Sequence, residues 1–239
     1  ISSNWGMDLA TANPLQRKIY EESCADGGQI MDEAIRLSAN SPWINYFRRL
    51  QTQVADTRQR GGHHCAVALN ATDALTRAYA QIAVFASGSH PYGDYGWHQP
   101  LPGRYTQFAT RFGEFLWSAD LATVAADAAG FSVNEVNLWW RDHVRQRTLP
   151  DGRVQFVLQL ITPPPLEKVA ELKPSRLTPW RRGLTVTRRT AQTPVVWALS
   201  AEPATRATLL TPRKTGDGFS VELPEHRHWT TLVWTEGAR

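Results

Sequence analysis

Two groups of residues in this chain have types suited to chemistry. Asp32-Glu33 follows a short apolar run, Gln29-Ile30-Met31. Asp94 sits in a second group, within Ala86-Ser87-Gly88-Ser89-His90-Pro91-Tyr92-Gly93-Asp94-Tyr95-Gly96-Trp97-His98. Cleavage of a glycosidic bond needs two carboxylates, one as nucleophile or base and one as acid. Asp32 or Glu33 is the candidate for one, and Asp94 for the other, with Asp73 as the alternative. Adjacent residues of a strand point to opposite faces, so only one of Asp32 and Glu33 can meet a substrate. The pair also reads as the acidic first turn of a helix through Ala34-Ile35-Arg36-Leu37, where the helix dipole favours negative charge.

The second group is punctuated by Gly and Pro, which forbid regular structure. His90, Tyr92, Tyr95, Trp97 and His98 bring rings with polar edges beside one acid. A polyhydroxylated ligand needs such stacking faces and convergent hydrogen-bonding groups. A plain turning loop is the competing reading. The chain carries ten tryptophans, which suits a sugar or protein surface as well as a large core.

Other chemistries find less support. His63-His64-Cys65 has metal-ligating types, but three successive strand residues cannot face one ion. CxxC and HExxH spacings are absent, as are a GxSxG elbow, a P-loop and a GxGxxG turn. No metal and no cofactor is therefore expected. Cys24 and Cys65 could pair, although spacing gives no distance, and Cys65 reads as a buried thiol. The net charge is +4 over 239 residues, with basic residues gathered between Lys168 and Arg189. That stripe lacks the interleaved aromatics of a single-strand platform, which argues against nucleic acid and for a solvated face. A basic surface for a polyanionic partner is the remaining alternative. No run approaches the ~18 apolar residues of a membrane helix. The chain starts at Ile1 without a basic n-region or a signal-like core, so a processed or trimmed N-terminus is expected and the compartment is left open.

These candidates must be held by elements, and the patterning changes near Gly130. Before it, Asn13-Pro14 and Ser41-Pro42 read as N-caps followed by Pro at N1. Trp43, Ile44, Phe47, Leu50 and Val54 share one helix face. Thr72-Asp73 opens a helix through Ala74 to about Ala83, followed by Ile82-Ala83-Val84-Phe85 leading into the Gly-rich group. Tyr105, Phe108, Phe112, Phe115 and Ala119 form a further stripe. Gln29-Ile30-Met31 and Cys65-Ala66-Val67-Ala68-Leu69 read as buried parallel strands. Their alternation with helices argues for βα units. After Gly130, strands are expected over 136–148, 153–162, 184–190, 195–200, 205–211, 219–223 and 230–235, with a hairpin turn at Leu149-Pro150-Asp151-Gly152. Trp139-Trp140 places one ring on each strand face, and Trp229 and Trp234 read as core.

Phe85-Ala86-Ser87-Gly88-Ser89-His90, Gly93-Asp94 and the run from Tyr105 through Phe112, Phe115, Leu116 and Asp120 resemble the end of a glycoside hydrolase barrel. Met7-Asp8, Asn13-Pro14, Tyr20 and Asp26 through Asp32 resemble a strand motif of such barrels, and Phe219 through Pro224 with Trp229 through Trp234 resemble the closing strands of a trailing sandwich. The group is glycoside hydrolase family 66, the dextranase and cyclic isomaltooligosaccharide synthase enzymes. The resemblance implies Asp32 as nucleophile, or Glu33 as the strand-end acid, and an α-glucan substrate. The family's second carboxylate has no clear counterpart in Cys65 to Thr72.

The expected fold is α/β plus all-β: later βα units of a (β/α)8 barrel in 1–128, then an antiparallel β-sandwich in 131–239. A whole barrel takes at least ~200 residues, so a second polypeptide is expected to complete it. The expected function is paired-carboxylate hydrolysis of an oligo- or polysaccharide. A non-catalytic carbohydrate-binding or assembly module is the alternative.

Overall fold

The computed structural model describes residues 2–5, 12–32, 43–66, 74–91, 100–164 and 178–237. The chain divides into two compact units: 1–110 with 164–177, and 111–163 with 178–239. Glu33, Asp73, Tyr92, Asp94, Tyr95, Trp97, His98, the Ser41-Pro42 cap and the start of the basic stripe lie outside the described residues.

The first unit alternates strand and helix: β1 (Ser2–Trp5), α1 (Pro14–Cys24), β2 (Gln29–Asp32), α2 (Trp43–Gln59), β3 (His63–Ala66), α3 (Ala74–Ser87) and β4 (His90–Pro91), followed by α4 (Pro100–Phe112). The strands form one parallel sheet in the order β1-β2-β3-β4. Parallel neighbours require crossovers, and the helices lie in those connections. The βα alternation read from the sequence is therefore present. Among the described residues the sheet is open, with β1 and β4 as its edges, and does not close into a barrel.

Local chemistry explains where the helices begin and end. Asn13 caps α1 with its side chain on the Gln16 N–H (3.0 Å), while the Gln16 side chain accepts from the Asn13 N–H (2.7 Å). This capping box, with Pro14 behind it, satisfies donors that the first turn would otherwise leave orphaned. α2 buries Trp43, Tyr46, Phe47, Leu50, Val54 and Thr57, a stripe at helical spacing. Trp43 meets Tyr79 of α3 with ring centroids 5.6 Å apart.

α3 is buried over nearly its whole circumference, and it corrects two expectations. Val84 and Phe85 carry the helix past its expected end near Ala83, and Ala86-Ser87 complete it instead of starting a loop. The stop comes at Gly88 (φ +86°). Its N–H reaches the Phe85 carbonyl at 3.0 Å, and the Ser89 N–H reaches the Val84 carbonyl at 3.1 Å. That pair of bonds is a Schellman ending, which needs a left-handed residue and so favours Gly. The Tyr105 to Ala119 stripe is likewise divided, by Gly113, into α4 and the short α5 (Glu114–Trp117).

The second unit continues with β5 (Ala122–Thr123), β6 (Phe131–Val133), β7 (Val144–Thr148), β8 (Val154–Ile161), β9 (Thr185–Arg189), β10 (Val195–Ser200), β11 (Arg206–Leu210), β12 (Arg213–Lys214), β13 (Gly218–Glu222) and β14 (Trp229–Glu236). Two antiparallel sheets result, β11-β10-β14-β8-β7-β5 and β12-β13-β9-β6. Between them lies a core that includes Phe156, Leu158, Leu232 and Trp234 from the first sheet with Phe131, Val186, Phe219 and Val221 from the second. This is sandwich packing, with alternate residues of each strand turned inward. Gly152, at φ +82°, closes the expected β7–β8 hairpin.

The strand expected over 136–148 is realised only from Val144. Arg141 to His143 form a single 3-10 turn, and Val136 is 92% exposed. Leu138 and Trp140 nonetheless reach the core. Of the expected core tryptophans, Trp234 joins that cluster, and Trp229 is also buried, its indole N–H donating to Gln159 Oε1 at 2.8 Å.

Candidate functional site

The parallel sheet sets the geometry. Trp5, Asp32, Ala66 and Pro91 are level across the four strands. Asp32 therefore ends β2 at the same edge at which β4 ends, and Tyr92 follows Pro91 directly. His90 lies one position back, level with Cys65 and Met31.

Alternation along the strands sorts side chains into two layers. Ile30, His64 and Ala66 are buried on one face. Ile30 packs with Tyr20 and Cys24 of α1. His64 Nδ1 meets Ser89 Oγ at 2.8 Å, with both residues buried. The structure thus sets the Ser89 hydroxyl on the His64 ring and buries the pair away from solvent. A buried hydrogen-bonded pair of this kind ties β3 to the start of β4 and does not offer a nucleophile.

Gln29, Met31, His63, Cys65 and His90 form the other layer. Gln29 Nε2 donates to Cys65 Sγ, and the His63 and His90 rings meet edge to face with centroids 6.2 Å apart. His63 is exposed and His90 half-buried. Burial holds the His90 imidazole below its usual pKa, and its neighbours His63, Arg58 and His64 push the same way. It is neutral at pH 7 and can both donate and accept. The Cys65 thiol is pushed up by burial, so it stays protonated and is a poor nucleophile.

The split between His63/Cys65 and His64 is the one strand alternation requires. Among the described residues no group of three His, Cys, Asp or Glu side chains could hold a metal ion. Both cysteines are free, and Cys24 is buried in the α1 cluster. The sequence offers His90 and Cys65 as separate candidates and does not show that they share a layer with Gln29. The period-two pattern of Gln29/Met31 beside His63/Cys65 carried the signal, but it needed the register to bring His90 alongside.

The described arginines of the basic stripe are largely neutralised. Arg181 pairs with Glu135 (2.8 Å), Arg182 with Glu225 (2.9 Å) and Arg188 with Glu236 (2.8 Å). No described helix is long and apolar enough to cross a membrane.

By sequence, the chain matches neither a family model nor a curated protein. Among solved structures it is similar to a cycloisomaltooligosaccharide glucanotransferase of Paenibacillus sp., with a TM-score of 0.49 and 11% identity over 67% of this chain and 27% of that one. It is also similar to alpha-L-fucosidase isoenzyme 2 from Paenibacillus thiaminolyticus, with a TM-score of 0.30 and 12% identity over 60% of this chain and 19% of that one. A glycoside hydrolase family 30 xylanase from Clostridium acetobutylicum overlaps 99% of this chain and 95% of its own, with a TM-score of 0.27 and 9% identity. All three names are those of carbohydrate-active enzymes. The chain spans about a quarter of the glucanotransferase and about a fifth of the fucosidase.

Proposed function

We propose that this chain is the carbohydrate-handling part of a glycoside hydrolase acting on an oligo- or polysaccharide through paired carboxylates. One observation carries the reading. Asp32 and Pro91 end their strands at the same end of one parallel sheet, because Asp32, Ala66 and Pro91 are level. Parallel α/β sheets bind ligands at the carboxyl ends of their strands, where loops meet without blocking the sheet.

On this reading Asp32 or Glu33 is nucleophile or base and Asp94 is its partner. His90, Tyr92, Tyr95, Trp97 and His98 line sugar subsites. The neutral state of His90 suits a hydroxyl ligand, which both donates and accepts. The resemblance to family 66 makes an α-glucan the first substrate to try. The open sheet supports completion of a barrel by further strands from a second polypeptide, since an uncovered edge leaves backbone groups unpaired.

The test is hydrolysis of a panel of α- and β-glucans by the chain alone and with any co-purifying polypeptide. Asp32→Asn, Glu33→Gln and Asp94→Asn are the controls, each checked for fold by circular dichroism. Loss of turnover in Asp94→Asn together with Asp32→Asn or Glu33→Gln supports the pair. Turnover that survives all three substitutions removes it.

One observation favours a binding module instead: among the described strand ends of the sheet, Asp32 is the single carboxylate. Glycan binding without turnover, unchanged in Asp32→Asn, would establish that second reading.

A further inference from the structure

The interior of the sandwich opens at one end into a cleft of about 380 Å³. Its position follows from strand alternation. Phe156, Val186 and Trp234 are inward-facing core positions, and the next inward positions are Val154, Arg188 and Glu236. The core thus ends in a buried ion pair instead of more apolar side chains. Arg188 Nε donates to Glu236 Oε1 at 2.8 Å, and the Trp234 indole N–H donates to the same oxygen at 2.6 Å. Arg188 also donates to the Ala129 carbonyl, and its guanidinium lies 3.9 Å from the Phe156 ring centroid and 4.9 Å from that of Phe131. Stacking and hydrogen bonds on several sides hold this arginine in one place.

Several groups remain for a visitor. Glu236 is 5% exposed and lines the cleft, yet among the described residues no hydrogen bond engages its Oε2. Gln146 and Gln192 also line the cleft, and among the described residues their side-chain amides make no hydrogen bond. Val124, Val154 and Ala129 supply an apolar wall. A cleft of this size, with an apolar wall facing a few convergent polar groups, is what small-molecule sites look like.

We propose that this cleft binds a neutral sugar residue, its hydroxyls on Glu236, Arg188, Gln146 and Gln192 and its C–H face on the apolar wall. The ion pair selects against charge. A phosphate or carboxylate on the ligand would face Glu236, and a cation would face Arg188. Two amides and one carboxylate oxygen offer both donors and acceptors, which suits hydroxyls because each hydroxyl is both. The site is built within the second unit and stands whether or not the chain hydrolyses anything.

The test is a titration of the full chain with methyl glucoside and methyl xyloside, read at the assigned Trp234 indole N–H by NMR. That proton reports on the cleft through Glu236. We expect a saturable shift, weakened at least tenfold in the rim double variant Gln146→Ala/Gln192→Ala and lost in Ala128→Trp, which plugs the mouth from an exposed turn. The shift should persist in Asp32→Asn, which separates this cleft from the strand-end site. Glucose 6-phosphate and glucuronate should bind more weakly than the neutral glycosides. No shift with any neutral glycoside, a shift that survives Ala128→Trp, or preference for the charged sugars would each overturn the proposal.

Discussion

His226 is held against Thr162, its Nε2 2.8 Å from the Thr162 hydroxyl, inside the second unit. Its Nδ1 lies 2.9 Å from the Thr230 hydroxyl, so both ring nitrogens are engaged. Burial pushes its pKa down from the usual 6.5 to about 3, with Arg181 and His228 acting the same way and Glu202 opposing them. The unfolded chain therefore binds a proton that the folded chain refuses. Stability from this site is complete above about pH 6.5 and is lost as pH falls toward 3. Denaturant midpoints at pH 7 and pH 4 should differ more for the wild type than for His226→Gln, whose neutral amide keeps a donor and an acceptor. Equal differences would show that another group carries the acid sensitivity.

The Arg188–Glu236 pair should behave as a buried ion pair. Removing one charge leaves the other unpaired, at a cost of about 3–5 kcal/mol, whereas an apolar pair of similar volume restores most of the loss. Glu236→Ala should be markedly destabilised, and Arg188→Met/Glu236→Leu should recover most of the stability in urea melts. A double variant as unstable as the sum of its singles would contradict this.

Gly218 leaves no room for a side chain. A Cβ there would collide with the Arg188 carbonyl oxygen, a backbone atom that cannot move alone. Gly218→Ala should cost about 3 kcal/mol by forcing β13 from β9. Gly216→Ala, where a Cβ meets nothing within 4 Å, is the matched control and should be close to neutral by the same melt.

The thiols report on the first unit. Cys24 and Cys65 are free, at 0% and 2% exposure, and burial raises both pKa values. A thiol-specific chromophore should label neither in the native protein and both after unfolding. Rapid native labelling of Cys65 would mean that the sheet face carrying His90 opens to solvent.

The cap on α1 is testable by itself. Asn13→Ala removes the side-chain half of the capping box and should cost about 1 kcal/mol of stability. An unchanged unfolding midpoint would place α1 outside the cooperative unit.

Where the signal is local, the sequence alone determined the structure. Asn13-Pro14 set the start of α1, Leu149-Pro150-Asp151-Gly152 set a hairpin, and the regular strand runs between Arg153 and Thr235 became β8 to β11, β13 and β14. Each depends on a backbone angle, an orphan donor or a two-residue period that neighbouring residues dictate. The end of α3 is less local: the helix passes its expected stop near Ala83 and runs to Ser87, where Val84 to Ser87 are buried by packing on every side. The two candidate regions depend on tertiary structure to a greater degree. Parallel register brings Asp32 level with Pro91, and sheet stacking brings Arg188 of β9 onto Glu236 of β14, although 47 residues of chain separate them. No local pattern encodes such a meeting, because a strand's choice of partner is made by burial of its apolar face against distant segments.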